Sequence, residues 1–166
     1  MSESSRLLGL ADSLVAALNA AQPVQPDPPA EPLPSPFVLP FTAVRKVVPL
    51  VDLDQMGETL TVFVVGVGPT EERYGGLDSG LFTGNYDVDI LVQQRLAPAA
   101  DLEARGADLV LLTEQIRDLL KTGDFAAGDA RGVLVGIDAN PAYSLKALLE
   151  RRCFVGVQTL TFRVFV

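Results

Sequence analysis

Two acid-x-acid pairs carry the most pointed chemistry in this chain: Asp52 and Asp54 in PLVDLDQ, and Asp87 and Asp89 in YDVDILVQQRL. Paired carboxylates can supply oxygen ligands to a divalent cation or divide general-acid and general-base roles across a scissile bond. Residues i and i+2 of a strand point the same way, roughly 7 Å apart by the strand rise. One pair alone therefore cannot chelate tightly, and a metal-dependent hydrolase would need both pairs to converge from neighbouring strands. The contrasting expectation is a solvated or subunit-facing strand surface. In YDVDILVQQRL, Tyr86, Val88, Ile90 and Val92 fall on one face and Asp87, Asp89, Leu91 and Gln93 on the other, the alternation of a strand with a buried and a wetter side.

Other catalytic patterns find little support. The chain contains no histidine, which removes Ser-His-Asp and Cys-His nucleophiles and histidine metal sites. GVGPTEERYGG has neither the spacing nor the lysine of a phosphate loop. Lys46, Lys121 and Lys146, the only lysines, sit on predicted surface faces or element ends, where nothing desolvates them into Schiff-base nucleophiles. Cys153 is the single cysteine, so no intrachain disulfide or thiolate cluster can form, and a reducing compartment fits. Arg151 and Arg152 precede it and suit an intersubunit salt bridge. The sequence thus predicts no catalytic, cofactor or metal residues. The candidate interface residues are Glu71, Glu72, Arg73, Asp87, Asp89, Arg151 and Arg152.

With 166 residues and 48% hydrophobic content the chain is expected to form one α+β domain over residues 1–166. Its 13 basic and 21 acidic side chains give a net charge of −8, which repels a phosphate backbone and favours protein partners. The opening MSESSRLLGLADSLVAALNAAQ lacks a basic lead and is broken by Asp12, Ser13 and Asn19, so it reads as neither secretory signal nor membrane span. A cytosolic origin is expected.

The elements that must position these residues follow from periodicity. Leu7, Leu10, Leu14, Val15 and Leu18 form a helical stripe behind a Ser4 or Ser5 cap. PVQPDPPAEPLPSPFVLP follows, a proline-rich extended insertion over 22–40, either a semi-rigid spacer or a ligand for a partner's aromatic groove. FTAVRKVVPLVDL and ETLTVFVVGV are expected to pair as an antiparallel hairpin across LDQMG. Residues 68–85 read as a Gly-rich loop. YDVDILVQQRL is a strand, and DLEARGADLVLLTEQIRDLLKTG a helix capped by Asp101 and ending near Gly123. RGVLVGID is a short strand, NPAYSLKALLERR a loop or brief helical turn, and FVGVQTLTFRVFV a long closing strand. The expected architecture is α+β: a mostly antiparallel sheet with two helices packed on one face.

The phrases NPAYSLKALLERRCFVGVQTLTFRVFV, DLEARGADLVLLTEQIRDLL and YDVDILVQQRL, with the LLGLADSLVAALN helix and PFTAVRKVVP, together resemble a group of small tailed-bacteriophage neck and tail proteins. The order of elements is similar to that of the tail-terminator, or tail-completion, family. The likeness covers most of the chain except Gln22 to Pro36, which looks like an insertion. It implies no active-site residues. It implies a small α+β subunit that closes into a ring, commonly a hexamer, at the head-proximal end of the tail. Its partners would be further copies of itself, the tail tube protein and the head-tail connector, with DNA passing through the lumen and no membrane contact. Its place would be the virion, after assembly in the host cytoplasm. A head-closure or head-tail joining factor is the nearest alternative; the metal-dependent hydrolase and a proline-docked binding module are the alternatives from other classes.

Overall fold

The computed structural model describes residues 5–22, 35–48, 52–74, 82–139 and 142–165, with backbone alone at 70–74 and 82–83. In chain order the elements are α1 (Arg6–Ala20), β1 (Thr42–Lys46), β2 (Thr61–Tyr74), β3 (Phe82–Arg95), α2 (Leu102–Leu120), β4 (Asp124–Ala127), β5 (Ala130–Asp138), α3 (Leu145–Arg151) and β6 (Cys153–Phe165). The six strands form one sheet in the order β1-β2-β3-β6-β5-β4. The fold is α+β and the sheet mostly antiparallel, as expected, but with three helices rather than two.

Local signals explain where the elements begin. The Ser5 side chain accepts a hydrogen bond from the Leu8 amide at 3.4 Å, and Asp101 accepts from Glu103 and Ala104 at 3.0 and 3.2 Å. Both satisfy amides that a helix N-terminus leaves without partners. The period-2 pattern then sorts the strands. Val62 and Val64 of β2, Val88, Ile90 and Val92 of β3, and Phe154, Leu160 and Phe162 of β6 are fully buried on one face. Against that face pack Leu10, Leu14 and Leu18 of α1 and Leu109, Leu112, Ile116 and Leu120 of α2, in one continuous core. Gln158 enters it from β6 and donates to the Thr113 carbonyl of α2 at 3.1 Å, satisfying a buried amide that would otherwise cost stability.

Helix α1 spans the sheet. Its Asn19 donates to the Ala43 carbonyl of β1 at 3.0 Å and accepts from the Ala43 amide at 2.8 Å. Its Ser13 donates to the Ala126 carbonyl of β4 at 2.7 Å. Since β1 and β4 are the two ends of the strand order, one helix can bond both only if the sheet curls around it. The approach to the β4–β5 turn leaves no room for a side chain: a Cβ at Gly9 would lie 2.6 Å from the Gly128 nitrogen. Gly128 itself has φ 64°, a left-handed conformation that glycine adopts without penalty.

Four expectations are corrected. β1 and β2 are parallel, with Thr42 opposite Thr61 and Lys46 opposite Val65. β1 stops at Lys46, and the long connection over 47–60 gives the chain room to return before β2 starts, as a tight hairpin turn would not. The expected loop over 68–85 is largely strand: β2 continues to Tyr74 and β3 starts at Phe82, with register shifts at Gly66/Gly68 and Pro69/Glu71 that leave Val67 and Thr70 as bulged positions on either side of the paired Gly68 and Pro69. Residues 75–81 lie outside the described residues. The expected loop or turn in NPAYSLKALLERR contains α3, capped by the Ser144 hydroxyl, and DFAA forms the unanticipated edge strand β4. Of the expected insertion over 22–40, residues 23–34 lie outside the described residues. Its last part is packed rather than free: Phe37 and Phe41 are buried edge-to-face at 4.9 Å, and Gln22 accepts from the Phe41 amide at 3.0 Å.

Leu14→Ala should lose about 2–5 kcal/mol of stability through the cavity it leaves, and Asn19→Ala about 1–3 kcal/mol through the unpaired Ala43 groups; urea midpoints at constant slope check both. The Arg6–Asp129 pair, 2.9 Å apart, also ties α1 to the turn after β4. The hydrogen bond from Arg6 holds the Asp129 carboxyl below its ordinary value. A depressed carboxylate pKa contributes stability that is complete above the unfolded value near about 4 and lost as pH falls through the folded value. Asp129→Asn should therefore lower the melting temperature slightly at neutral pH, where the exposed pair is formed, and the difference from the unmodified chain should vanish as pH falls below about 4.

Candidate functional site

The face of the sheet turned away from α1 and α2 carries the residues singled out by the sequence. Along β3 it presents Asn85, Asp87, Asp89, Leu91, Gln93 and Arg95, opposite Arg163, Thr161, Thr159, Val157, Val155 and Cys153 of β6. The hydroxyl of Thr161 donates to the Asp87 carboxylate and that of Thr159 to the Asp89 carboxylate, each at 2.6 Å. These are directly opposed cross-strand pairs, the geometry in which side chains on neighbouring strands interact. Each acid is thus fixed by its own threonine, and the two project from one ladder as a short acidic row.

The other pair is elsewhere. Asp52 and Asp54 lie in the turn before β2, where the Asp52 carboxylate accepts from the Asp54 amide at 3.0 Å, an Asx turn. Asp54 also pairs with Arg151 at 2.9 Å. This turn sits over one end of the open face: Arg95 of β3 donates to the Met56 and Leu53 carbonyls, and the buried Cys153 thiol lies against the Leu53 carbonyl. Among the described residues, no three His, Cys, Asp or Glu side chains come together as a metal-holding group. Further along the ladder Gln93 is buried, and its side-chain nitrogen has no hydrogen-bond partner.

The arginine pair divides its work. Arg151 is exposed and meets Asp54. Arg152 sits in the left-handed C-cap of α3 at φ 52° and sends its guanidinium inward, donating to the Ala97 and Ala100 carbonyls at 2.7 Å each. It ties the α3–β6 corner to the segment before α2. Glu71, Glu72 and Arg73 belong to β2, opposite Asn85, Gly84 and Thr83; their side chains lie outside the described residues.

A second surface went unnoticed in the sequence. Between α2 and α3 runs a groove of about 710 Å³, walled by Val110, Leu111, Leu145 and Leu149 and edged by Glu103 and Glu114. Leu111, Leu145 and Leu149 are exposed although apolar, while Leu148 turns inward to the core. The signal was the spacing of Leu145 and Leu149, four apart on a helix too short for its period to stand out. Exposed apolar patches rimmed by charge mark interaction surfaces.

No protein-family model matches the chain, and no curated protein matches it significantly.

The geometry predicts how the acidic row responds to change. Because each carboxylate meets a hydroxyl and not a clustered metal site, calcium, magnesium or manganese should leave the melting temperature unmoved. Thr159→Val should cost about 1 kcal/mol, the net worth of one hydrogen bond. A metal-induced rise that Asp89→Ala removes would contradict this.

Proposed function

We propose that the chain is a structural subunit of a tailed-bacteriophage neck, a tail terminator that closes into a ring on the head-proximal end of the tail. The observation that carries this reading is the resemblance of its phrases and element order to that family. The α+β fold is consistent with it: helices pack on one face of a mostly antiparallel sheet, and the opposite face carries a fixed polar row.

The mechanism is one of geometry. A subunit with two different, complementary surfaces joins head to tail, and when the rotation closes, a ring results with no free end. Such a ring seated on the tail tube blocks further addition of tube protein and presents its outer face to the head connector. Lined by the sheet's open face, its lumen would carry Asp87 and Asp89 of every copy. Fixed carboxylates repel passing phosphates, and the net charge of −8 acts in the same sense. Asn at both positions should therefore slow DNA ejection or lower infectivity while leaving particle shape intact.

The experiment that tests the reading is tail length. Particles assembled without the chain should carry tails of uncontrolled length, or tails that fail to join heads, and supplying the chain should restore both. Tails of normal length joined to heads without it would reject the proposal. The proline tract offers a finer test. Ser35 donates to the Ala21 carbonyl at 2.9 Å, so the two ends of the tract already meet. Deleting residues 23–34 should leave the melting temperature nearly unchanged and impair assembly; normal particles would remove the tract from the mechanism.

A further inference from the structure

Among the described residues the three most exposed large apolar side chains are Val47 at 70%, Leu149 at 64% and Val48 at 60%. They fall in two places only. Val47 and Val48 directly follow β1, the outermost strand on one side of the sheet, and succeed Arg45 and Lys46. Leu149, with Leu145 and Leu111, walls the α2–α3 groove, whose edges carry Glu103 and Glu114.

The two surfaces complement one another. One is a small apolar knob behind a basic residue, Lys46, which stands over the Phe63 ring at 5.1 Å. The other is an apolar groove with acidic edges. Within one copy they are carried by different strands of the sheet. The helix packed on β1 is α1, whereas α2 and α3 pack on β6, three places along the strand order.

We infer that the Val47–Val48 knob of one copy seats in the α2–α3 groove of the next, with its Lys46 ammonium against the Glu103 and Glu114 edge. Both valines are β-branched and stiff, so they lose little side-chain entropy on docking. The burial of valine on leucine supplies affinity, and the opposed charges set the orientation. Each copy offers one knob and one groove, so the contact is heterologous and repeats until it closes. This assignment rests on the ring reading and specifies which surfaces would build it.

Disulfide trapping tests it on the full chain. Val47→Cys and Leu149→Cys are both at exposed positions, and the native Cys153 is fully buried and does not compete. Mixed and mildly oxidised, the two variants should give a cross-linked dimer that neither gives alone, and a chain carrying both substitutions should give a ladder beyond the dimer. Lys46→Glu should weaken self-association about tenfold or more, and combining it with Glu103→Lys and Glu114→Lys should restore it. If the unmodified chain forms closed oligomers but the mixed cysteines do not cross-link, or if Val47→Cys links mainly to itself, this pairing is overturned while the ring reading stands. A chain that stays monomeric in solution and is absent from tail ends would overturn both.

Discussion

Everything in this molecule depends on α1 lying inside the curl of the sheet. Leu10, Leu14 and Leu18 are fully buried on it, and its polar side chains bond the strands at both ends of the sheet order. Asn19 occupies both backbone groups of Ala43 on β1, and Ser13 reaches β4. An isolated sheet of this length would twist open. A helix bonded to both ends fixes the curvature, and the close approach of Gly9 to the Gly128 turn sets how tightly the curl closes.

That curvature gives the sheet two unlike faces. The inner one is saturated with aliphatic and aromatic side chains from α1, α2, β2, β3 and β6. The other is ruled by cross-strand pairs, with Thr159 and Thr161 holding Asp89 and Asp87 in line. Because β6 pairs with β3 on one side and β5 on the other, the last strand of the chain lies inside the sheet. The threonines that hold the acidic row thus stand on an interior strand, paired on both sides.

Much of this was legible in the sequence where local period and tertiary burial agree. The stripes of α1 and α2, the Asp101 cap, the alternation of YDVDILVQQRL and the strand at the C-terminus all follow from residues a few positions apart. What was not legible depended on distant partners. Strand direction between β1 and β2 is set by where the connection over 47–60 returns, which no local pattern encodes. Gly68 and Pro69 read as loop residues, yet bulges carry them within a strand. Arg152 looked like a surface cation beside Arg151, and only the carbonyls of Ala97 and Ala100, far away in sequence, turn it inward. The groove leucines of α3 were hidden because seven residues are too few to show a helical period.

The acid pairs that first suggested metal chemistry sort themselves by their neighbours: one pair shapes a turn and meets Arg151, the other is tied to threonines on the sheet's open face. In the proposed ring of identical subunits this face lines the lumen and the helix groove joins neighbouring copies. Cryo-electron microscopy of assembled tails tests that most directly. The account predicts rotationally symmetric density for several copies of this 17.7 kDa chain at the head-proximal end, with the β3 and β6 strands toward the lumen. A single copy there, or none anywhere on the particle, would contradict it.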